Sequence, residues 1–202
     1  MGGDQSAGIG ASAIVRALAR VDDFDTAFSS RRAMRAALVR VNQELLTRAA
    51  EDALKDVGAS VVTLLARETS YACMWVGASR AYLLRSGELR RLGRDDAAAQ
   101  EPVDSRKIGR GREGAFHHTH SSMRLVGASS KLEIEGVNGE IQAGDRFLLC
   151  SDGLQVMEDA PIAELMSQEG SPAAIASALV RKSLELNVAD NVSVVVVDAE
   201  RA

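Results

Sequence analysis

The chain has 202 residues, 46% of them hydrophobic and 26% charged, with a formal net charge of −4. That size and balance support one globular domain over residues 1–202 with a substantial buried core. Mild acidity excludes the basic face that non-specific nucleic-acid or membrane-surface binding requires, and no apolar run approaches the roughly 20 residues that span a bilayer.

The opening MGGDQSAGIG has neither the basic nor the apolar stretch of a secretory signal, so the sequence reads as cytoplasmic. Helical spacing of Ile14, Val15, Leu18 and Val21 predicts a helix over residues 11–21. Met34, Leu38, Val41, Leu45 and Leu46 keep the same rhythm and predict a second over 31–53. The texture then changes to short apolar runs at 60–66, 71–77 and 81–85, followed by a Ser86-Gly87 turn and a return strand over 88–92. Aromatics make up only 3% of the chain, so its core is expected to consist mostly of Val, Leu, Ile and Ala. Residues 93–122 lose all periodicity and read as a long surface loop. Strand texture returns at 123–126, 132–137 and 146–150. Helices are expected at 162–166 and 172–186, the second with Pro172 in its first turn, and a last strand at 192–197. The order implies an α+β fold of two packed, mainly antiparallel sheets, with the first two helices on one side and the 172–186 helix on the other. Cys73 and Cys150 lie inside apolar runs and read as buried free thiols with no catalytic role.

Two segments place a carboxylate at a strand end. In Phe147-Leu148-Leu149-Cys150-Ser151-Asp152-Gly153-Leu154 an apolar strand delivers Asp152, and Gly153 permits a sharp turn. In Asp190-Asn191-Val192-Ser193-Val194 the carboxylate comes just before a strand. At one edge of adjacent strands, Asp152 and Asp190 would form a hard-oxygen site for Mg²⁺ or Mn²⁺. Taken singly, Asp-Gly and Asp-Asn are also ordinary turn formers.

Together these segments resemble the C-terminal half of the PPM-type (type 2C, metal-dependent) Ser/Thr protein phosphatases of bacterial type. Trp75-Val76-Gly77-Ala78-Ser79-Arg80-Ala81-Tyr82 is similar to that family's Gly-Asp-Ser-Arg hairpin. Gly87-Glu88-Leu89, Arg94-Asp95-Asp96, Arg124-Leu125-Val126-Gly127 and Gly58-Ala59-Ser60-Val61-Val62 match further landmarks in order, and Met1-Gly2-Gly3-Asp4 is similar to the end of its Asp-Gly-Met-Gly-Gly-His motif. The resemblance implies hydrolysis of phosphoserine and phosphothreonine proteins by a water activated between two Mn²⁺ or Mg²⁺ ions, in signalling opposite a Ser/Thr kinase. It assigns Asp152 and Asp190 as metal ligands and Asn191 as a positioning residue. No catalytic residue is assigned, and the oligomeric state is left open.

Departures from the pattern bear on activity. Met1 falls inside the first motif, so the bridging Asp-Gly would precede it, and an upstream start or a short pseudophosphatase is expected. Loss of the family's first strands would leave an apolar sheet face and strand edges uncovered. Ala78 stands where the family has an accessory-metal Asp, while Asp4 and Asp96 replace histidines. The second expectation is therefore an inactive module that binds a phosphoprotein or kinase through the loop. In that loop Arg106, Lys107, Arg110 and Arg112 form a basic stretch that reads first as solvated loop, with a substrate flap suited to acidic or phosphorylated segments as the functional alternative.

Two further patterns carry less. Gly8-Ile9-Gly10-Ala11-Ser12-Ala13 has the dinucleotide spacing but lacks the strand that must precede it, so it reads as small residues for helix packing. His117, His118 and His120 cannot converge on one ion from a regular element, and no Cys or carboxylate accompanies them; they read as solvated loop.

Overall fold

The computed structural model describes residues 3–21, 27–52, 57–93 and 124–200. Its elements are α1 (Gly3–Leu18), α2 (Ala27–Glu51), β1 (Val61–Arg67), β2 (Ser70–Val76), β3 (Arg80–Arg85), β4 (Glu88–Leu92), β5 (Glu135–Glu140), β6 (Arg146–Cys150), a 3₁₀ turn (Asp152–Val156), α3 (Asp159–Met166), α4 (Pro172–Glu185) and β7 (Val194–Asp198). The strands form two antiparallel sheets, ordered β1-β2-β5 and β4-β3-β6-β7. The expected α+β sandwich is the fold observed.

Four layers explain why its central strands read as unbroken apolar runs. Antiparallel strands with one wet face alternate apolar and polar residues, but β2, β3 and β6 are covered on both faces. From β2, Met74 and Val76 join Ile14, Met34, Leu38, Val41 and Leu45 under α1 and α2. Tyr71 and Cys73 point the other way, into the seam between the sheets, where they meet Ala81, Leu83, Leu92 and Phe147. The rings of Tyr71 and Phe147 meet edge to face there, 5.0 Å between centroids. On the far side Tyr82, Leu84, Leu148 and Cys150 pack against Ile162, Met166, Ile175 and Leu179 of α3 and α4. The helices thus cover the two sides that periodicity assigned them.

Several boundaries differ from expectation. The first helix starts at Gly3 and the second at Ala27, because residues with weak apolar rhythm still continue a helix once a neighbouring turn is packed. Of residues 123–126, the described ones form no strand. Val126 makes only an isolated bridge to Ala59, while Gly127 turns the chain at φ +97° against Leu45 and the Val57 carbonyl. The strand expected at 132–137 is shifted to Glu135–Glu140, and the last one runs Val194–Asp198. The 3₁₀ turn after Ser151 had no periodic signal. Val195 and Val197 face the seam, paired with Leu149 and Phe147, yet are 53% and 36% exposed. An uncovered apolar strip therefore runs along β7.

Two arginines fasten the hairpins to the rest. Arg146 grips both oxygens of Asp198 at 2.6 and 2.9 Å and donates to the carbonyls of Met166, Gln168 and Gly170, tying the α3–α4 corner to β6 and β7. Arg85 reaches Asp145 through Nε and Nη2, both at 2.7 Å. Burial alone would push the Asp145 carboxyl up, but the Arg85 guanidinium and the Gln142 N–H outweigh it and hold the group below the usual carboxylate range. Asp145 is 1% exposed. Asp145→Asn is therefore expected to destabilise the fold by about 3 kcal/mol, because it leaves a cation facing a buried neutral group. A lowered folded pKa confers stability that is full above the unfolded value and lost as pH falls through the folded one. Urea unfolding should thus show the gap between parent and variant at neutral pH and its closure below about pH 4. A gap that persists undiminished into that acid range would contradict the ion-pair explanation.

Candidate functional site

The site lies where β6 ends and β7 begins. β6 ends at Cys150: the Ser151 N–H still donates in register to the Ser193 carbonyl at 3.0 Å, but the Ser193 N–H turns to the Ser151 hydroxyl, and the chain then coils into the 3₁₀ turn that starts at Asp152. The Ser151 side chain clasps the neighbouring strand. Its hydroxyl donates to the Asn191 carbonyl at 3.3 Å and accepts from the Ser193 N–H at 3.0 Å. Leu154, 1% exposed, anchors the turn in the core under α3 and α4.

Gly153 fixes the approach of the two segments. A Cβ there would fall inside contact distance of the Asn191 carbonyl oxygen and 3.1 Å from Val192 Cγ2. Its φ is not in the left-handed region, so the glycine serves close backbone approach rather than the sharp turn expected from sequence. Asp152 and Asp190 consequently flank a contact between Gly153 and Asn191 at one edge of paired strands.

Their chemistry suits a hard divalent cation. Asp152 is half-buried and Asp190 exposed. Asp190 Oδ1 accepts the Asn191 N–H at 2.7 Å, which orients the carboxylate. Among the described residues neither aspartate joins a salt bridge. Two carboxylates outside any salt bridge among the described residues are the donor type for Mg²⁺, an ion usually bound through one or two carboxylates together with substrate phosphates and several waters. No cluster of three His, Cys, Asp or Glu side chains occurs among the described residues. Asp4 falls in α1, but its side chain lies outside them, as do Arg106, Lys107, Arg110, Arg112 and the three histidines.

Behind this edge runs a polar relay that sequence reasoning did not single out. Gln155 Nε2 donates to the Ala78 carbonyl at 2.6 Å, and Arg80 Nη2 donates to Gln155 Oε1 at 3.1 Å. Arg80 Nη1 also donates to the Tyr82 hydroxyl at 3.4 Å, which in turn donates to Asp159 Oδ1 at 3.2 Å. Gln155 gave no signal, since the residue after Leu154 belongs to no apolar pattern. Cys150 sits directly under the edge and burial pushes its thiol up to about 12, against the weaker pull of Arg80. Cys73 is likewise buried and pushed up to about 12. Both thiols stay protonated at neutral pH, in keeping with their reading as structural residues.

Residues 1–185 match the protein phosphatase 2C family. The chain is 32% identical over 202 residues to the serine/threonine protein phosphatase PstP of Mycobacterium tuberculosis, a match covering 98% of this chain and 38% of that protein. It therefore spans well under half the length of that curated relative. Among solved structures, PppA of Pseudomonas aeruginosa, described as a key regulatory component of T6SS, superposes with a TM-score of 0.81 at 30% identity, covering 97% of this chain and 81% of that one. The catalytic domain of PstP in complex with two manganese ions superposes with a TM-score of 0.78 at 29% identity, covering 100% of this chain and 85% of that one. No helix among the described residues is long and apolar enough to cross a membrane. The chain belongs to the protein phosphatase 2C family.

Proposed function

We propose that the chain acts as a metal-dependent Ser/Thr protein phosphatase of bacterial type, with Asp152 and Asp190 holding Mn²⁺ or Mg²⁺. The observation that supports this reading is the close approach of the two segments that carry these carboxylates, made by the Ser151 hydroxyl and by Gly153 against Asn191, with neither carboxylate in a salt bridge among the described residues. Bound there, such ions supply an activated water and absorb charge that develops on a phosphoryl group. The protein's part is positional: Ser151 fixes the spacing of the two strand ends, and Asn191 orients the Asp190 carboxylate through its N–H. Similarity to PstP, a serine/threonine phosphatase, supports phosphoserine and phosphothreonine proteins as substrates and a Ser/Thr kinase as the opposing enzyme. Similarity to PppA makes regulation of a secretion system a specific setting for the same chemistry. Arg106, Lys107, Arg110 and Arg112 would attract acidic or phosphorylated segments from the 93–122 loop, in a cytoplasmic protein.

The test is hydrolysis of an aryl phosphate and of a phosphothreonine peptide with added Mn²⁺, then with EDTA, then with Mn²⁺ restored. Activity that appears, vanishes and returns in step with the metal is expected. Peptide binding without turnover under every condition would replace this reading with the inactive binding module.

A further inference from the structure

We propose that Gln155 is a positioning residue for the metal site, latching the turn that carries Asp152 to the β2–β3 corner. This rests on the metal-site reading above and assigns a residue that neither the sequence motifs nor the family match singles out.

Asp152 begins a single short 3₁₀ turn, tied at its two ends by the Leu154 N–H to the Ser151 carbonyl at 3.2 Å and the Met157 N–H to the Leu154 carbonyl at 3.1 Å. The side chain of its first flanking residue, Ser151, makes no capping bond to the turn, being committed to Asn191 and Ser193. On the β7 side the turn is thus held by Ser151. On the opposite side Gln155 provides the tie, at 2.6 Å to the Ala78 carbonyl.

The corner it reaches is a firm anchor. Gly77 adopts φ +88°, and a Cβ there would lie 2.9 Å from the Arg124 carbonyl and 3.0 Å from Ser60 Cβ, so its backbone is closely enclosed. Next to Ala78, the Ser79 side chain is 7% exposed and its hydroxyl donates to Ser60 Oγ at 2.9 Å. Arg80 then fixes the other end of the amide. Its guanidinium bridges Gln155 and Tyr82, and Tyr82 continues to Asp159 at the start of α3. The chain Ala78–Gln155–Arg80–Tyr82–Asp159 therefore spans the turn from the β2–β3 corner to the following helix.

A second observation shows that Arg80 is kept in place against a desolvation cost. Its Nε is buried with no hydrogen-bond partner among the described residues, an uncommon state for a charged donor. Among the described residues the guanidinium is held by a neutral amide and a phenol, with no carboxylate in direct contact. A latch that orients Gln155 accounts for that arrangement. Because Gln155 itself is exposed, it contributes little to the core, and its bonds serve mainly to define where the turn sits.

Partners that orient a metal ligand affect affinity by about tenfold or more when removed. Gln155→Leu keeps the side-chain volume and deletes both bonds, and Gln155→Ala repeats the deletion without a branched side chain. The experiment measures Mn²⁺ affinity by calorimetry and metal-free amide exchange across 152–157 in the parent, both Gln155 variants and Asp152→Asn. The expected result is about tenfold weaker Mn²⁺ binding in both Gln155 variants, with faster exchange confined to the turn and an unchanged melting temperature without metal. Unchanged Mn²⁺ affinity in both Gln155 variants, with Asp152→Asn weakened, would overturn the latch and leave the metal site standing. Unchanged affinity in Asp152→Asn as well would overturn the metal-site reading and the latch with it.

Discussion

Asp152→Asn is expected to lower Mn²⁺-dependent phosphate-ester hydrolysis by about a hundredfold or more, while leaving the fold intact. The amide preserves the shape of the side chain but removes its negative charge, and a hard divalent cation is held chiefly by charged oxygen. Losing a direct ligand should cost at least as much as losing one of its supporting partners, for which about 10- to 100-fold is typical. Stability moves the other way. Asp152 is in no salt bridge among the described residues and shares its edge with a second carboxylate, Asp190. Removing one of two like charges should leave the metal-free melting temperature unchanged or slightly higher. The decisive signature is therefore a variant that melts like the parent without metal, gains little from added Mn²⁺, and is inactive. A variant that melts lower and is inactive in proportion would assign Asp152 a structural role instead.

Gly153→Ala is the second large effect, and it tests the geometry rather than the charge. The new methyl would press on the backbone of Asn191, which cannot rotate away as a side chain could. Either the 3₁₀ turn or the segment before β7 must shift, and overpacking of this kind costs about 1–3 kcal/mol. Any shift also changes the spacing of Asp152 and Asp190, so Mn²⁺ affinity should fall together with stability. Gly8→Ala provides the control: Gly8 is an exposed helical residue whose Cβ would meet nothing within 4 Å. There, alanine should stabilise α1 by about 0.5–1 kcal/mol. Thermal melts of the two variants with and without Mn²⁺ compare these directions. Equal behaviour of the two would show that Gly153 has no special packing role.

Much of the architecture was readable because its causes are local. The periodicity of Met34, Leu38, Val41 and Leu45 is the buried face of α2, and the apolar runs around Cys73, Leu83 and Leu148 are strands buried on both sides. Asp152 and Asp190 were readable as strand-end carboxylates, and their shared edge followed from pairing of β6 with β7. The parts that escaped depend on contacts between distant segments. Gln155 acquires its role only because β3 brings Arg80 and Ala78 beside it, 75 and 77 positions away in the chain. Gly153 has a turn-like sequence context but a packing cause, visible only once Asn191 lies against it. The strand expected at 123–126 failed for a similar reason: Gly127 must fold under Leu45, where the side chain of the buried Asn42 accepts its N–H at 2.7 Å.

Direct Mn²⁺ titration by calorimetry tests, without relying on turnover, whether the edge bearing Asp152 and Asp190 is a divalent-cation site. Saturable binding to the parent, weakened at least tenfold in both Asp152→Asn and Asp190→Asn, is the predicted result. Binding of equal strength in the parent and both variants would place the metal elsewhere and rule out a cation site at this edge.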